Sequence, residues 1–468
     1  MRLFTKNVGS NYLAKVVRLS NVRKHPNADK LQLTSVDNQT VVVGLNAKEG
    51  DEYIFFPLET AINKKFLAFT NSFSDPLLNS DGKTKGFFND KGRVKAIKLR
   101  GTPSEGYLVP IKDFLAWIQA NPAQWAEGDW VGTEFDSVDC VICDQSAESS
   151  IKTELVCEKY VPYTMVKGPA NTPKQKKELR HNRIVPGQFH FHVDTAQLKK
   201  NIHMISPNDT ITISEKLHGT SVVISNVLVN RKLKWYEKLL KRIGVKIEDK
   251  EYDMVYSSRS VIKNQYEVPK THEHYYKEDV WGLAAKRVYP FLKPGMTAYA
   301  EIVGYTPNGT CIQKGYDYGC KQGEFEVYIY RMTQTDTLGN VLELTTNQIK
   351  RFVNSCAVLV TEGGMQWYQQ LNMVPIHYHG LASNYVGHFP ETPDDLENFR
   401  AKLLEYLTDE HLEKPCKMCK NNVPAEGVVV TVEADQFQAY KLKSWAFFEG
   451  ETKALDKGEI DLETEQSQ

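Results

Sequence analysis

Residues 211–224, with the sequence ITISEKLHGTSVVI, are the stretch that decides the fold of this chain. Alternating apolar residues lead into it and out of it, which predicts a strand, a turn and a second strand. The turn carries Lys216, whose amine a sheet would hold still between apolar walls. Loss of water and nearby cations lower the pKa of a lysine and free its lone pair. The stretch predicts either a nucleophilic lysine or an ordinary hairpin with a solvated lysine, and Gly219 would let a ligand approach the backbone.

The composition is that of an ordinary globular chain. Its 468 residues, 41% of them hydrophobic and 25% charged, predict two or three domains. Lys and Arg together number 58, as do Asp and Glu, so nucleic-acid contacts must come from local basic clusters. The N-terminus lacks the apolar core of a signal peptide, and no apolar run approaches the ~20 residues of a membrane span. With eight sparse cysteines, we expect a cytoplasmic protein.

The first 135 or so residues predict a small antiparallel barrel. Short alternating segments, such as residues 13–19 and 31–36, are separated by turn signals. Residues 92–101 alternate basic with apolar residues, so one face would pack and the other would meet phosphates. The basic face would consist of Arg93, Lys95, Lys98 and Arg100. The alternative is a barrel with a solvated basic strand.

Two further segments are basic, and each has two interpretations. Polar and basic residues between about 160 and 185 predict a solvated linker or a phosphate-binding arm. Residues 231–243 predict a helix with lysines and arginines opposite an apolar face. That face would consist of Trp235, Leu239, Leu240 and Ile243. The helix would be either an ordinary surface helix or a basic patch that grips a nucleic-acid backbone.

Beyond residue 224, charged residues recur at the ends of predicted apolar strands or inside them. Arg259 ends a short strand, and Glu301 lies within the apolar segment 298–304, where an unpaired carboxylate would be costly. Glu426 stands at the entrance to another apolar strand. Lys441 and Lys443 are two residues apart, which places them on the same face of a strand.

In this order, the segments resemble the six motifs of the covalent nucleotidyltransferase superfamily, which includes ATP-dependent polynucleotide ligases and mRNA capping enzymes. The resemblance covers most of residues 211–444. Residues 215–221, EKLHGTS, carry histidine where DNA ligases usually have aspartate, and are closer to RNA ligases. Residues 25–31, HPNADKL, resemble a loop of tRNA-binding OB-fold modules. The chain is most similar to the fifth family of RNA ligases, in which an OB domain precedes the catalytic domain.

The resemblance implies an α+β protein with an N-terminal OB-type β-barrel. A nucleotidyltransferase ligase domain would follow, built on antiparallel sheet and unrelated to the ATP-grasp fold. The expected organisation is an OB-fold nucleic-acid-binding domain over residues 1–150 and a basic linker over 151–187. The ligase domain would cover residues 188–448, and an acidic tail residues 449–468.

The resemblance also implies a reaction. Lys216 would attack the α-phosphate of ATP to give a lysyl-AMP and pyrophosphate. The AMP would pass to the 5′-phosphate of an RNA end, and a 3′-hydroxyl would then seal the ends and expel AMP. The expected cofactors are ATP and Mg²⁺ (or Mn²⁺), and the expected partners are RNA ends, first of all in a nicked duplex, bound by a monomeric RNA-repair enzyme.

Several residues would handle phosphate and metal according to the same resemblance. Lys441 and Lys443 would neutralise the α-phosphate, and Arg259 would contact the nucleotide and the RNA phosphate. Glu426 would orient a hydrated Mg²⁺. His218 receives no role, because it cannot act as an anionic partner of a metal-bound water.

Other residues would bind the nucleoside. Glu301 would hold the ribose hydroxyls, and Phe325 would stack on adenine, with Tyr328 as the competing platform. Glu215 and Gly219, which flank the nucleophile, would complete the nucleotide-binding set. Each acid and lysine of the series could instead belong to a structural ion pair, although the matching order makes this alternative weak for the whole set.

Two cysteine pairs have the spacing of zinc ligands, Cys140 with Cys143 and Cys416 with Cys419. They predict either reduced, unpaired thiols or a composite four-cysteine site.

Other functions remain open from the sequence. In capping guanylyltransferases and DNA ligases an OB domain follows the last lysine motif, whereas here only about 25 residues follow Lys443. An alternative of another class is a non-catalytic RNA-binding protein with a degenerate ligase fold.

Overall fold

The computed structural model describes most of the chain. The described residues are 2–7, 10–120, 125–126, 128–143, 149–161, 183–263, 278–362 and 365–457, without the side chains of 140–143, 149–151 and 357–369. The chain forms two compact units. The first consists of Met1–Tyr163 and Phe448–Glu459, and the second of Thr164–Phe447 and Ile460–Gln468. Both contain strands and helices, which confirms the prediction of a mixed α and β protein.

Among its described residues, the first unit contains short strands and two short helices that lie wholly within it. The strands are β1 (Arg2–Phe4), β2 (Ala14–Arg18), β3 (Arg23–Lys24), β4 (Leu31–Val36), β5 (Gln39–Gly44), β6 (Glu52–Pro57), β7 (Thr60–Ile62), β8 (Ile97–Leu99), β9 (Thr102–Ser104), β10 (Gly106–Pro110), β11 (Glu134–Phe135), β12 (Ser137–Cys143), β13 (Ser149–Leu155) and β14 (Cys157–Lys159). The helices are α1 (Lys64–Phe69) and α2 (Ile111–Trp117).

The strands of this unit form small antiparallel sheets around an aromatic core. The largest has the order β10-β6-β2-β11, and another the order β3-β4-β5. Phe56, Phe66, Phe114 and Phe135 are fully buried between the larger sheet and the helices. Among the described strands the sheets do not close into a barrel, so the OB-type barrel stays a prediction.

The predicted phosphate-binding face of residues 92–101 is covered at Arg93 and partly covered at Lys95, whereas Lys98 and Arg100 are exposed. Arg93 is 2% exposed, and it donates to the carbonyl of Thr452 and forms an ion pair with Asp456. Lys95 bonds the same aspartate at 2.8 Å. The prediction of one continuous basic face is wrong because no single strand spans residues 92–101. The strand β8 covers only Ile97–Leu99, so Arg93 lies outside it and its side chain does not follow the alternation of that strand.

The predicted linker and tail also begin as ordered structure. Most of β13 and all of β14 lie within the range 151–187 and belong to the first unit. Arg183 is buried and forms ion pairs with Glu251 and Asp253. The rest of the basic segment, residues 162–182, lies outside the described residues. Residues predicted as an acidic tail from 449 instead form part of a helix that ends at Asp456, and this part of the helix belongs to the first unit, where Asp456 pairs with Arg93 and Lys95.

The second unit contains longer strands. These are β15 (Ala196–Gln197), β16 (Thr210–Glu215), β17 (Thr220–Asn230), β18 (Lys250–Ser257), β19 (Ile262–Lys263), β20 (Met296–Gly304), β21 (Phe325–Thr335), β22 (Val341–Glu343), β23 (Ala357–Glu362), β24 (Met365–Gln370), β25 (Asn372–Met373), β26 (Ile376–Leu381), β27 (Gly427–Val432) and β28 (Gln438–Lys443). Its helices are α3 (Leu198–Asn201), α4 (Trp235–Arg242), α5 (Val280–Val288), α6 (Thr346–Ser355), α7 (Ala382–Val386) and α8 (Pro393–His411), and α9 (Trp445–Asp456) begins here.

Two larger sheets organise the second unit. One has the order β15-β28-β27-β16-β26, and the other contains β19-β18-β17-β20-β21-β22. Helices α7 and α8 cover the first sheet with a core that includes Phe399 and Leu403, while α5 and α6 cover the second around Trp281. β17 is buried along nearly its whole length, and the buried residues include polar Thr220, Ser221, Ser225 and Asn226 as well as its apolar ones.

The strands on either side of Lys216 do not form a hairpin. β16 pairs with β26 and β27, whereas β17 pairs with β18 and β20. The hairpin interpretation is therefore wrong, because each strand finds its partners far away in the sequence. Lys216 lies where the chain passes from one sheet to the other.

Helix α4 forms as predicted, but its apolar face is not packed. Trp235 is 79% exposed, Leu239 55% and Ile243 71%. Arg231 and Lys241 pair with neighbouring acids of the same segment. In the described part of the chain, no helix is long and apolar enough to cross a membrane.

Arg93→Ala should lower the free energy of unfolding of the first unit by about 2–4 kcal/mol, because it leaves the buried carbonyl of Thr452 and the carboxylates of Glu59 and Asp456 without their cation. Urea unfolding of the full chain, followed by amide exchange in β6 and β10, measures the change. The matched control is Lys98→Ala, whose ion pair with Glu449 is longer, at 3.7 Å, and more exposed. This control should change stability by no more than about 0.5 kcal/mol, and equal losses in the two variants would contradict the buried role of Arg93.

Candidate active site

Lys216 shares a buried carboxylate with a second lysine. The amines of Lys216 and Lys443 each lie 2.9 Å from the same oxygen, Oε1 of Glu426. The side chain of Glu426 is 3% exposed. The backbone N–H of Lys216 donates to the carbonyl of Gly427 at 2.9 Å, which ties the turn to the start of β27. Three residues that the sequence predicted for the site therefore meet in space.

Glycine at position 427 lets Glu426 point into this site. Val428 and Val430 face the core beneath helices α7 and α8, and simple strand alternation would send Glu426 the same way. Gly427 has a φ of +140°, and a Cβ there would lie 2.0 Å from the carbonyl oxygen of Leu442. The sequence does not predict this role for Gly427, although the pair Glu-Gly stands before an apolar strand.

The turn after Lys216 is held by backbone contacts. Gly219 donates its N–H to Oε1 of Glu301 at 3.1 Å and accepts from Nε2 of Gln313 at 2.8 Å. The N–H of His218 donates to the hydroxyl of Tyr318 at 2.6 Å. A Cβ at position 219 would lie 2.3 Å from the carbonyl oxygen of Ile302, so this glycine is needed by the neighbouring strand β20. The expected reason, access for a ligand, is not required to explain it.

His218 lies in an aromatic wall beside the shared carboxylate. Its ring makes edge contacts with Tyr316 at 4.9 Å and Phe447 at 4.8 Å between centroids. Its Nδ1 is 3.7 Å from Oε2 of Glu426. The residue that the sequence left without a role is therefore a packed neighbour of the carboxylate.

A row of side chains crosses the sheet next to the turn. The strand register pairs Ser221 with Glu301 and Glu301 with Tyr328, so these side chains share one face. Tyr330 lies close to the same row, with its hydroxyl 3.3 Å from Oγ of Ser221. This face places Tyr328 beside Glu301, one of the two arrangements that the sequence allowed.

Phe325 lies on the opposite face of β21. It pairs with Gly304 and is 4% exposed in the helix-covered core. The guanidinium of Arg287 lies 3.8 Å from its ring centroid and donates to its carbonyl. The predicted adenine platform at Phe325 does not fit this position, because strand alternation turns it away from Glu301 and Arg287 covers its ring.

Glu215 also faces away from the nucleophile. It shares the face of Ile211 and Ile213, which lies towards the helices, because neighbouring residues of a strand point to opposite sides. Its Oε2 is 2.8 Å from Nε2 of His377, whose ring contacts that of His411 at 4.7 Å between centroids. The structure therefore separates Glu215 from the other predicted nucleotide-binding residues.

A second group of charges surrounds Lys441. Burial, followed by the positive charges of Lys443 and Lys216, lowers the pKa of Lys441 to about 7, while the negative charge of Asp194 acts in the opposite direction. Arg259 forms an ion pair with Asp194. Burial alone would raise the pKa of Asp194, but Arg259 and Lys441 outweigh it, so that pKa is lowered.

Asp194 is a site residue that the sequence does not predict. It precedes β15, whose parallel pairing with β28 aligns Gln197 with Lys441. No local pattern marks this aspartate, since the strand pairing that brings it to the lysines joins segments more than 240 residues apart.

The acids present suit a weakly coordinated divalent cation. Among the described residues, no group of three or more His, Cys, Asp or Glu side chains could hold a metal alone. Mg²⁺ usually keeps several waters and takes one or two carboxylates together with substrate phosphates. Glu426 fits such a ligand, with its carboxylate next to amines that can turn to phosphate. The side chains of Cys140 and Cys143 lie outside the described residues, and Cys416 and Cys419 are free thiols.

Comparison with solved structures identifies proteins that share the fold of this chain. No family model and no curated protein matches the chain. Structures of mutants of the RNA ligase from Naegleria gruberi, one with AMP and Mn and one with ATP and Mn, each match with a TM-score of 0.53 and 16% identity, over 94% of this chain and 98% of that one. The same ligase with PPi matches with a TM-score of 0.53 and 15% identity, over 95% and 100%. This protein shares the fold of an RNA ligase. At this identity the likeness concerns the fold alone.

Lys441→Met should stabilise the protein more at pH 7 than at pH 9.5. The folded-state pKa of Lys441 is lowered from 10.5 to about 7, so between these values the unfolded chain binds more protons. The stability of the unsubstituted protein therefore rises with pH across this window, and methionine removes that rise.

Urea unfolding at the two pH values measures the effect, with the exposed lysine variant Lys293→Met as the control. A difference between Lys441→Met and the unsubstituted protein that stays constant with pH would contradict the lowered pKa.

Proposed function

We propose that this protein is an ATP-dependent RNA ligase that seals RNA 3′-hydroxyl to 5′-phosphate ends through a lysyl-AMP and an adenylylated 5′-end. The observation that carries the proposal is the pair of amines, Lys216 and Lys443, on one buried oxygen of Glu426 between two sheets. The fold shared with the Naegleria gruberi ligase, whose structures contain ATP, AMP and PPi, supports it.

In the first step, Nζ of Lys216 attacks the α-phosphorus of ATP. The N–P bond forms as the bond to pyrophosphate breaks, and the amine must lose a proton. Glu426, at 2.9 Å, is placed to accept that proton. Lys443 and Lys441 would turn to the phosphate oxygens, whose negative charge persists throughout the transfer.

The adenosine would lie along the row formed by Glu301 and Tyr328. The carboxylate of Glu301 already accepts the N–H of Gly219 and has lone pairs left for ribose hydroxyls. Tyr328 shares that face and is half-buried, which suits a ring that stacks on a base. We therefore transfer the stacking role from Phe325 to Tyr328.

In the later steps, Arg259 would contact the RNA phosphate. Its guanidinium forms an ion pair with Asp194, and the charge of Asp194 also interacts with that of Lys441. A hydrated Mg²⁺ or Mn²⁺ bound by Glu426 would supply positive charge at the phosphates. The proposal also keeps the sequence-based expectations of an OB-type RNA-binding domain, a nicked-duplex substrate and a cytoplasmic, monomeric repair enzyme of the fifth RNA ligase family.

Lys216→Arg should abolish covalent labelling by ATP that carries a label on its α-phosphate, because arginine keeps the charge but cannot serve as the nucleophile. Denaturing gels in the presence of Mg²⁺ measure the labelling. The control Lys321→Arg changes an exposed lysine and should label like the unsubstituted protein. Label on the Lys216→Arg variant would refute the assignment, and labelling by GTP in place of ATP would favour a capping enzyme.

Tyr328→Ala should raise the KM for ATP in this labelling reaction by about tenfold, the expected cost of losing one stacked base. Tyr328→Phe keeps the ring and should stay within about twofold. Phe325→Leu is the comparison on the opposite face and should leave the KM nearly unchanged. The reverse pattern, with a raised KM for Phe325→Leu alone, would return base stacking to Phe325.

A further inference from the structure

Cys416 and Cys419 form a thiol pair in a short loop between α8 and β27. The loop is closed by a bridge between Pro415 and Pro424 and by a hydrogen bond from the N–H of Cys416 to the carbonyl of Val423 at 2.8 Å. Cys416 is 6% exposed, and Cys419 is half-buried. The nucleotide-binding and catalytic roles proposed above use neither cysteine.

The two thiols have unequal acidity because they contact each other. The side chain of Cys419 hydrogen-bonds to Cys416, and the backbone N–H groups of Met418 and Cys419 also stabilise its thiolate, so the pKa of Cys416 is lowered. The same side-chain contact and then burial raise the pKa of Cys419. A thiolate next to a thiol is the arrangement that disulfide chemistry requires.

The loop also supports the turn that carries the nucleophile. The N–H groups of Lys420 and Asn421 donate to the carboxylate of Asp317 at 2.9 and 3.3 Å. Asp317 precedes Tyr318, whose hydroxyl accepts the N–H of His218.

Further contacts join the loop to the site. The hydroxyl of Tyr316, whose ring contacts His218, donates to the carbonyl of Pro424 at 2.9 Å. Cys416 and Cys419 pack in the same apolar cluster as Leu217. A change in the loop therefore has short, direct routes to residues 217 and 218.

We propose that Cys416 and Cys419 form a reversible disulfide that acts as a redox-sensitive control of the turn at Lys216. In its effect on catalysis this inference rests on the proposed ligase function. A metal site is the competing use of the pair, but within the described residues no third side chain joins the two thiols as a ligand.

Hydrogen peroxide is the oxidant that converts the two thiols to the disulfide. The sulfur of Cys416 attacks one oxygen of hydrogen peroxide, the O–O bond breaks, and water leaves to give a sulfenic acid. The sulfur of Cys419 then attacks the sulfenic sulfur, the S–O bond breaks, and a second water leaves. Two thiols are oxidised to one disulfide, and the peroxide is reduced to two waters. Dithiothreitol reverses the oxidation.

The test treats the reduced full-length chain with hydrogen peroxide and measures three quantities. Peptide mass spectrometry should find a Cys416–Cys419 disulfide, and hydrogen–deuterium exchange should change in the peptide that contains His218. ATP labelling should slow by about fivefold or more, the lower end of typical coupling between sites, and dithiothreitol should restore it. Absence of the disulfide, or a disulfide with unchanged exchange and labelling, would overturn the inference.

Variants separate this inference from the proposed function. Cys419→Ser, with Cys416→Ala as a second variant, should remove both the disulfide and the peroxide response. Cys320→Ser changes another partly exposed cysteine and should retain both. If the reduced protein does not label with ATP, the ligase proposal fails, while the disulfide and the exchange at His218 still decide this inference.

Discussion

The second unit depends on one buried carboxylate that joins segments more than 200 residues apart in sequence. Glu426 holds the amines of Lys216 and Lys443 on a single oxygen. A buried carboxylate without cations would be strongly destabilising, and two half-buried ammonium groups without an anion would repel each other. The three charges therefore require one another, and they fix the turn between the sheets against the ends of β27 and β28.

Close backbone packing keeps this group of charges in place. Gly219 allows the turn to approach β20, and Gly427 allows β27 to approach β28 while it directs Glu426 towards the lysines. Any side chain at either position would meet a carbonyl oxygen at 2.0–2.3 Å. The site is thus preorganised by the backbone, which is how an enzyme positions groups for phosphoryl transfer without rearrangement.

Strand alternation explains which predicted residues fit the site. Glu301, Lys441 and Lys443 lie on the faces that turn towards Lys216. Glu215 and Phe325 lie one position out of phase and face the helices. Their motif positions suggested nucleotide contacts, but the period of two along each strand decides direction once the register is known. The same register brings Asp194 to Lys441, a partner that no local sequence pattern marks.

The sequence by itself determined the mixed α and β composition, the strands on either side of Lys216 and three of the charged residues that meet there, Lys216, Glu426 and Lys443, because alternation and charge are local properties. Only the tertiary structure decided that these strands belong to different sheets, that Glu426 bridges two lysines, and that Arg93 is buried under the last helix. These outcomes depend on pairings between distant segments, whose register and packing are set by the fold as a whole. Local residue patterns do not show which distant segments will pair.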